Sequence, residues 1–223
     1  MRLADLTWTT ARGDVLVVPL GSTEQHGPHL PLSTDTDIAV ALAEGLAARR
    51  EGVVVAPAVP YGASGEHAGF TGTLSVGHDA LELLLVELVR SATETFPHVL
   101  LLNGHGGNAL TVAAACARLR DESRDVLVWA PTWRGDAHAG RTETSVQLAL
   151  DPSRVGPARD AGATEDLSVL LPTLRRGGLR AVTDNGVLGD PAGATPEEGR
   201  VLLAQALDAL EAAVDAWLTP EPA

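Results

Sequence analysis

One short stretch holds two carboxylates and an imidazole at spacings that suit metal-assisted hydrolysis. It is GSTEQHGPHLPLSTD, residues 21–35, with Glu24, His26 and Asp35 as the reactive groups. Glu24 and His26 are two residues apart, so in an extended loop both side chains leave the same side. Asp35 follows after Gly and Pro residues that favour turns, and a tight loop can swing it back onto the pair. Carboxylate oxygens mixed with imidazole nitrogens are donors for hard or borderline divalent cations. Taken alone, the stretch reads equally well as a solvated polar loop.

Three further stretches carry the same chemistry. NGHGGN, residues 103–108, offers His105, which alone reads as a structural histidine in a glycine turn. Residues 136–145 offer His138, a candidate proton shuttle, and Glu143, which can complete a metal shell or act as a first-turn carboxylate stabilised by the helix dipole. His67, in a glycine-rich loop over residues 60–75, is a candidate substrate contact or a surface histidine.

The elements that must position these groups are legible. Val15–Leu20 is an apolar run that reads as a buried strand. Residues 36–50 carry Ile38, Leu42 and Leu46 at four-residue steps and predict an amphipathic helix. Strands are predicted over 53–56, 99–102 and 126–129. Helices are predicted over 79–96, closed by Pro97, over 110–120, and from 140 to about 150. Residues 151–164 are punctuated by Pro and Gly and predict a surface wrap, 167–174 a short apolar segment, and 180–190 a loop or edge strand. Thr195-Pro196-Glu197-Glu198 predicts a capping box that opens a last helix to about 218, with a frayed tail over 219–223. Such alternation implies a three-layer α/β/α sandwich with a mostly parallel central sheet, one domain over residues 1–223. Sites in sheets of this class form beyond the carboxyl ends of the strands. The stretches after the first, third and fourth strands all emerge there.

Composition narrows the function further. The formal net charge is −13, which argues against nucleic acid or an anionic membrane surface as a partner. All cationic side chains are Arg, with no Lys, which excludes Schiff-base, lysine-base and Walker-type phosphate chemistry. The single Cys, Cys116, sits in an Ala-rich helix and reads as a small core residue. It fits a reducing cytoplasm, and the first residues lack the apolar core of a signal peptide. No Gly-x-Ser-x-Gly elbow is present, and the Gly104–Gly107 run lacks dinucleotide spacing. Trp129 and Trp133 read either as pocket lining or as core.

Taken together, GSTEQHGPHLPLSTD, EHAGFTGT (66–73), NGHGGN and HAGRTETS (138–145) resemble the creatininase (creatinine amidohydrolase) family, in order and over most of the chain to about residue 150. The resemblance implies two divalent cations, Fe(II) and Zn(II), with Mn(II) as an alternative. Glu24 and His105 would hold one, His26 the other, and Asp35 would bridge them. Creatininase carries a carboxylate two residues after its Asn-Gly-His histidine, where this chain has Gly107, so Glu143 is expected to supply it. His138 would protonate the leaving nitrogen and His67 would steady the oxyanion or the substrate. The family also implies a homo-oligomer. Residues 60–67 and 185–191 are most similar to a branch that releases an altered C-terminal Val-Tyr unit from a modified precursor peptide on the way to a redox cofactor. Two other readings stand beside this one: a hydrolase of a small cyclic amide or formamide, and a metal-stabilised binding protein without turnover.

Overall fold

The apolar residues of β1 (Val15–Leu20) and β3 (His98–Asn103) are buried on both faces of a sheet, and their parity decides which face. Leu16, Val18, Leu20, Val99 and Leu101 enter one apolar cluster; Val15, Val17, Leu100 and Leu102 enter the other. Side chains that alternate with period two require this split. In the computed structural model, which describes residues 1–219, these strands join β2 (Val53–Val55) and β4 (Val126–Trp129) in a parallel sheet of order β2-β1-β3-β4. The tail expected over 219–223 lies outside the described residues from 220 onward.

Helices cover both faces, as the alternation predicted. α1 (Thr34–Arg49) and α6 (Pro196–Leu218) cover one face with Ile38, Leu42, Leu46 and Leu210. α2 (His78–Ala92) and α3 (Ala109–Asp121) cover the other with Leu81, Leu85, Val112 and Leu119. Cys116 packs in that second cluster, in keeping with a core residue. α4 (Arg141–Leu150) lies against α6 and buries Val146. Trp129 and Trp133 pack against the α6 side of the core, away from the acid and histidine groups. Among the described residues no helix is long and apolar enough to cross a membrane.

The strand order creates the place for a site. The chain leaves β1 for β2 on one side and meets β3 on the other, so the loops after β1 and β3 begin side by side and diverge. Leu20 pairs with Asn103, and the Gly104 N–H donates to the Leu20 carbonyl over 2.8 Å. Gly104 must be Gly, because a Cβ there would collide with the Asp35 carbonyl oxygen. That close approach brings the first turn of α1 onto the β3 loop.

Several elements differ from expectation. The predicted 79–96 helix stops at Ala92, where Thr93 Oγ1 donates back to the Val89 carbonyl over 2.9 Å. The predicted 167–174 segment is a full helix, α5 (Leu167–Gly177), despite Pro172 within it. Pro172 removes one backbone hydrogen bond, and the packing of Leu170 and Leu174 with Leu179 and Leu188 offsets that loss. Residues 180–190 form no strand of the sheet. Instead Leu188 makes one antiparallel bridge to His138. The capping box of α6 is half made: Thr195 Oγ1 accepts from Glu198 N–H over 3.1 Å. The Glu198 carboxylate does not return to Thr195 but takes Arg141 and Ser145, and so ties α6 to α4.

Candidate metal centre

Asp35 stands at the middle of the site. It lies in the first turn of α1, 2% exposed, and Ser22 Oγ donates to its Oδ2 over 2.7 Å. His26 Nε2 lies 3.1 Å from Oδ1, and His105 Nδ1 lies 3.0 Å from Oδ2. One carboxylate therefore touches an imidazole on each side. Burial opposes ionisation of Asp35, but His26 and His105 outweigh it and hold the carboxyl well below its usual range.

Each imidazole has its far nitrogen anchored on backbone. His26 Nδ1–H donates to the Glu24 carbonyl over 3.1 Å, and His105 Nε2–H to the Ala63 carbonyl over 3.2 Å. Such anchoring is how proteins orient a ligating histidine. Burial works against the charged forms of both, yet Asp35 prevails and raises His26 to about 10 and His105 to about 9.

The carboxylates and imidazoles complete three clusters. Donor atoms of Glu24, Asp35 and His105 lie within 4.8 Å of one another, so do those of His26, Asp35 and Glu143, and so do those of Glu24, His26 and His138. Asp35 belongs to the first two. Glu24, fully buried, has both carboxylate oxygens without a hydrogen bond, although they lie 3.1 Å from His67 Nε2 and His105 Nε2. Its pKa rises to about 7, first from burial and then from repulsion by Asp35. Glu143 accepts the Ala139 N–H at 2.6 Å, and burial raises its pKa as well. A buried carboxylate with idle lone pairs, beside two trios of O/N donors that share one oxygen pair, fits a pair of divalent cations.

His67 and His138 stand beside this cluster, with ring centroids 4.6 Å apart. Gln25 orients both. Its side-chain N–H donates to His67 Nδ1 over 3.0 Å, and its main-chain carbonyl accepts His138 Nε2–H over 2.9 Å. Neutral His67 therefore carries its hydrogen on Nε2, and neutral His138 presents a lone pair on Nδ1. Burial, then His26 and His105, lowers His67 to about 3; burial, then His26 and His67, holds His138 well below its usual range. The structure thus brings all the candidate residues together: Glu24, His26, Asp35, His67, His105, His138 and Glu143.

Sequence reasoning missed two neighbours. Gln25 was passed over because an amide between two ligand-type residues looks like a spacer. Glu66 enters the sequence reading only as the first residue of EHAGFTGT. Its carboxylate sits where a Cβ on Gly107 would be, 3.7 Å from His105 Nε2, with the side chain 34% exposed. Glu143 stands on the His26 side, apart from that spot. The two Asn residues of NGHGGN are braces. Asn108 Nδ2–H donates to the Gly21 carbonyl over 3.0 Å, and its Oδ1 accepts the Ala63 N–H over 2.9 Å. Asn103 closes the His105 turn through the His105 carbonyl, at 2.8 Å.

His29 lies near the site and has a different consequence. It is 1% exposed, bonded to Thr144 Oγ1 at 2.8 Å, with Nδ1 buried and unpartnered. Burial, then Arg159, lowers its pKa from 6.5 to about 4. The unfolded chain therefore binds the extra proton first, and the contribution of His29 to stability is complete above pH 6.5 and is lost as pH falls towards 4. The thermal unfolding midpoint is expected to drop across that window, and to drop less in His29→Gln; parallel slopes would exclude this account.

The profile of the family described as creatininase, creatinine amidohydrolase, matches residues 1–214, and the chain belongs to that family. It is 49% identical over 219 residues to the mycofactocin precursor peptide peptidase of Mycobacterium tuberculosis, which covers 93% of this chain and 86% of the relative. Its fold is similar to that of a solved creatinine amidohydrolase (creatininase) at TM-score 0.84 and 25% identity, over 99% of this chain and 98% of that chain. A second solved chain, described as Creatininase Mn, gives TM-score 0.82 and 25% identity over 98% and 99%.

Proposed function

We propose that this chain hydrolyses an amide bond in a modified precursor peptide, of the kind for which its mycobacterial relative is named, and releases the altered C-terminal Val-Tyr unit during redox-cofactor biosynthesis. The observation that supports this best is Asp35, shared between the Glu24/His105 trio and the His26/Glu143 trio. Glu24, Asp35 and His105 would hold one cation, and His26, Asp35 and Glu143 the other. Fe(II) and Zn(II), or Mn(II), suit these donors. When bound, such a pair polarises an amide carbonyl and brings the pKa of a water towards ~7.

The protein's own groups do the rest. His138, neutral and with Nε2–H held by Gln25, takes a proton at Nδ1 and delivers it to the leaving nitrogen. His67, aligned by Gln25, offers Nε2–H to the substrate oxygen. Water is the nucleophile and no covalent enzyme intermediate forms. The cavity over these groups is about 420 Å³, within the range of sites that enclose a drug-sized ligand. We place the activity in the cytoplasm, in a homo-oligomer of one-domain chains.

Incubating metal-loaded protein with the modified precursor peptide and, separately, with creatinine tests the reading by mass. Release of the C-terminal unit is expected, and creatinine should remain intact; cleavage of creatinine alone would reverse the assignment. Glu24→Gln is expected to abolish turnover and to lower bound metal while the circular dichroism of the fold persists. Full activity in that variant would remove Glu24 from the ligand set.

A further inference from the structure

The cavity above the acid and histidine groups has two unlike walls. Its floor carries Glu24, Asp35 and His105, and facing them is α5 with Leu167, Leu171 and Leu174. These leucines are spaced i, i+4, i+7 and so form one stripe along the helix. Leu170, one step around the same face, packs with Leu179 and Leu188 in a small cluster separate from the two main ones, and Leu174 lies against that cluster. Among the described residues, Leu167 and Leu171 enter none of the apolar clusters. Leu167 is 43% exposed, and Leu171 and Leu174 are half-buried. Apolar surface left open beside a cluster of reactive polar groups is the signature of a ligand site.

The wall is held at a set distance from the reactive groups. α5 ends at Gly178, whose φ is +68°, and a Cβ there would lie 2.7 Å from the Glu66 carbonyl oxygen. The helix end thus rests on the backbone that carries His67. Leu188, which also lines the cavity, is bridged to His138. Both catalytic histidines are therefore tied by backbone to the apolar wall.

We propose that Leu171 and Leu174, with Leu188, form the specificity subsite of this enzyme and receive a bulky apolar or aromatic side chain of the substrate next to the amide that is cut. The occupant belongs to the substrate because the same cavity runs without interruption to the groups that hydrolyse the amide. A small polar ring would leave this wall wet and bind weakly. The inference rests on the peptide-hydrolase reading and deepens it.

The test uses the metal-loaded full chain and two peptides: the modified precursor, and the same peptide with the bulky apolar residue beside the cut trimmed to Ala. Wild type is expected to prefer the first by roughly 10–100-fold in kcat/KM, the scale for losing methylene groups from an apolar pocket. In Leu171→Ala/Leu174→Ala the preference is expected to fall below about 3-fold, with metal content unchanged. Leu174→Phe, which narrows the subsite, is expected to shift the preference towards the trimmed peptide and guards against a misfolded double variant. A preference retained in both variants, or a loss that falls equally on both peptides, overturns the inference. If wild type with its full complement of metal cuts neither peptide, the parent reading fails first and takes this one with it.

Discussion

Asp35→Asn should cost the protein both cations and at least about 10³-fold in turnover, or ~4 kcal/mol of transition-state stabilisation. The reason is geometric. Oδ1 faces His26 and Oδ2 faces His105, so one carboxylate serves both trios. An amide of the same shape presents one oxygen and an NH₂ group, and the NH₂ side repels a cation. Glu143 belongs to one trio only, so its substitution should touch one half of the centre. The fold should survive, because Asp35 lies outside both apolar clusters and Ser22 can still bond to the remaining oxygen. Elemental analysis with steady-state rates reads the result. A variant that keeps two ions per chain and more than about a tenth of the activity, under ~1.4 kcal/mol lost, would end the bridging role.

Removing the metal should destabilise the wild-type chain almost as sharply. Without cations, Glu24, Asp35 and Glu143 crowd one buried volume, offset only by protons on His26 and His105. Buried like charges are tolerated poorly, and burial together with Asp35 already drives Glu24 up to about 7. A ligand that binds only the native state at a thousand times its Kd adds about 4 kcal/mol per site. For a domain of this length that is roughly 8–16 °C in Tm for each site. Chelation should therefore lower the melting temperature by that order, and Mn(II) or Zn(II) should restore it. An unchanged Tm on chelation, with metal shown by analysis to have left, would mean the cluster is stable by itself. Asp35→Asn should no longer respond to chelator, which links the two measurements.

The layered architecture was legible because it depends on short-range periodicity. Apolar runs at Val15–Leu20 and 99–102, and the four-residue steps of Ile38, Leu42 and Leu46, report burial through side-chain direction alone. The closeness of Glu24, His26 and Asp35 was legible for a related reason, since a turn-rich loop can fold back on itself. Element ends were less so. Phe96 looks helical by type, yet Thr93 caps the helix before it by a hydrogen bond to the Val89 carbonyl. Residues 167–174 read only as a short apolar segment, and it is the packing of Leu170 on Leu179 and Leu188 that supplies the stabilisation a helix with Pro172 inside it lacks by propensity.

By itself, then, the order of residues determined a parallel α/β sheet, the strand ends at which chemistry collects, and the donor types for a divalent cation. Tertiary structure alone decided which donor groups lie together: that Glu143 stands with His26, that Glu66 fills the space Gly107 leaves open, that Gln25 sets both tautomers, and that α5 turns a leucine stripe towards the reactive groups. These are contacts between segments scores of residues apart. Their distances follow from how helices and loops seat on the sheet, and no local pattern of residue types encodes that seating.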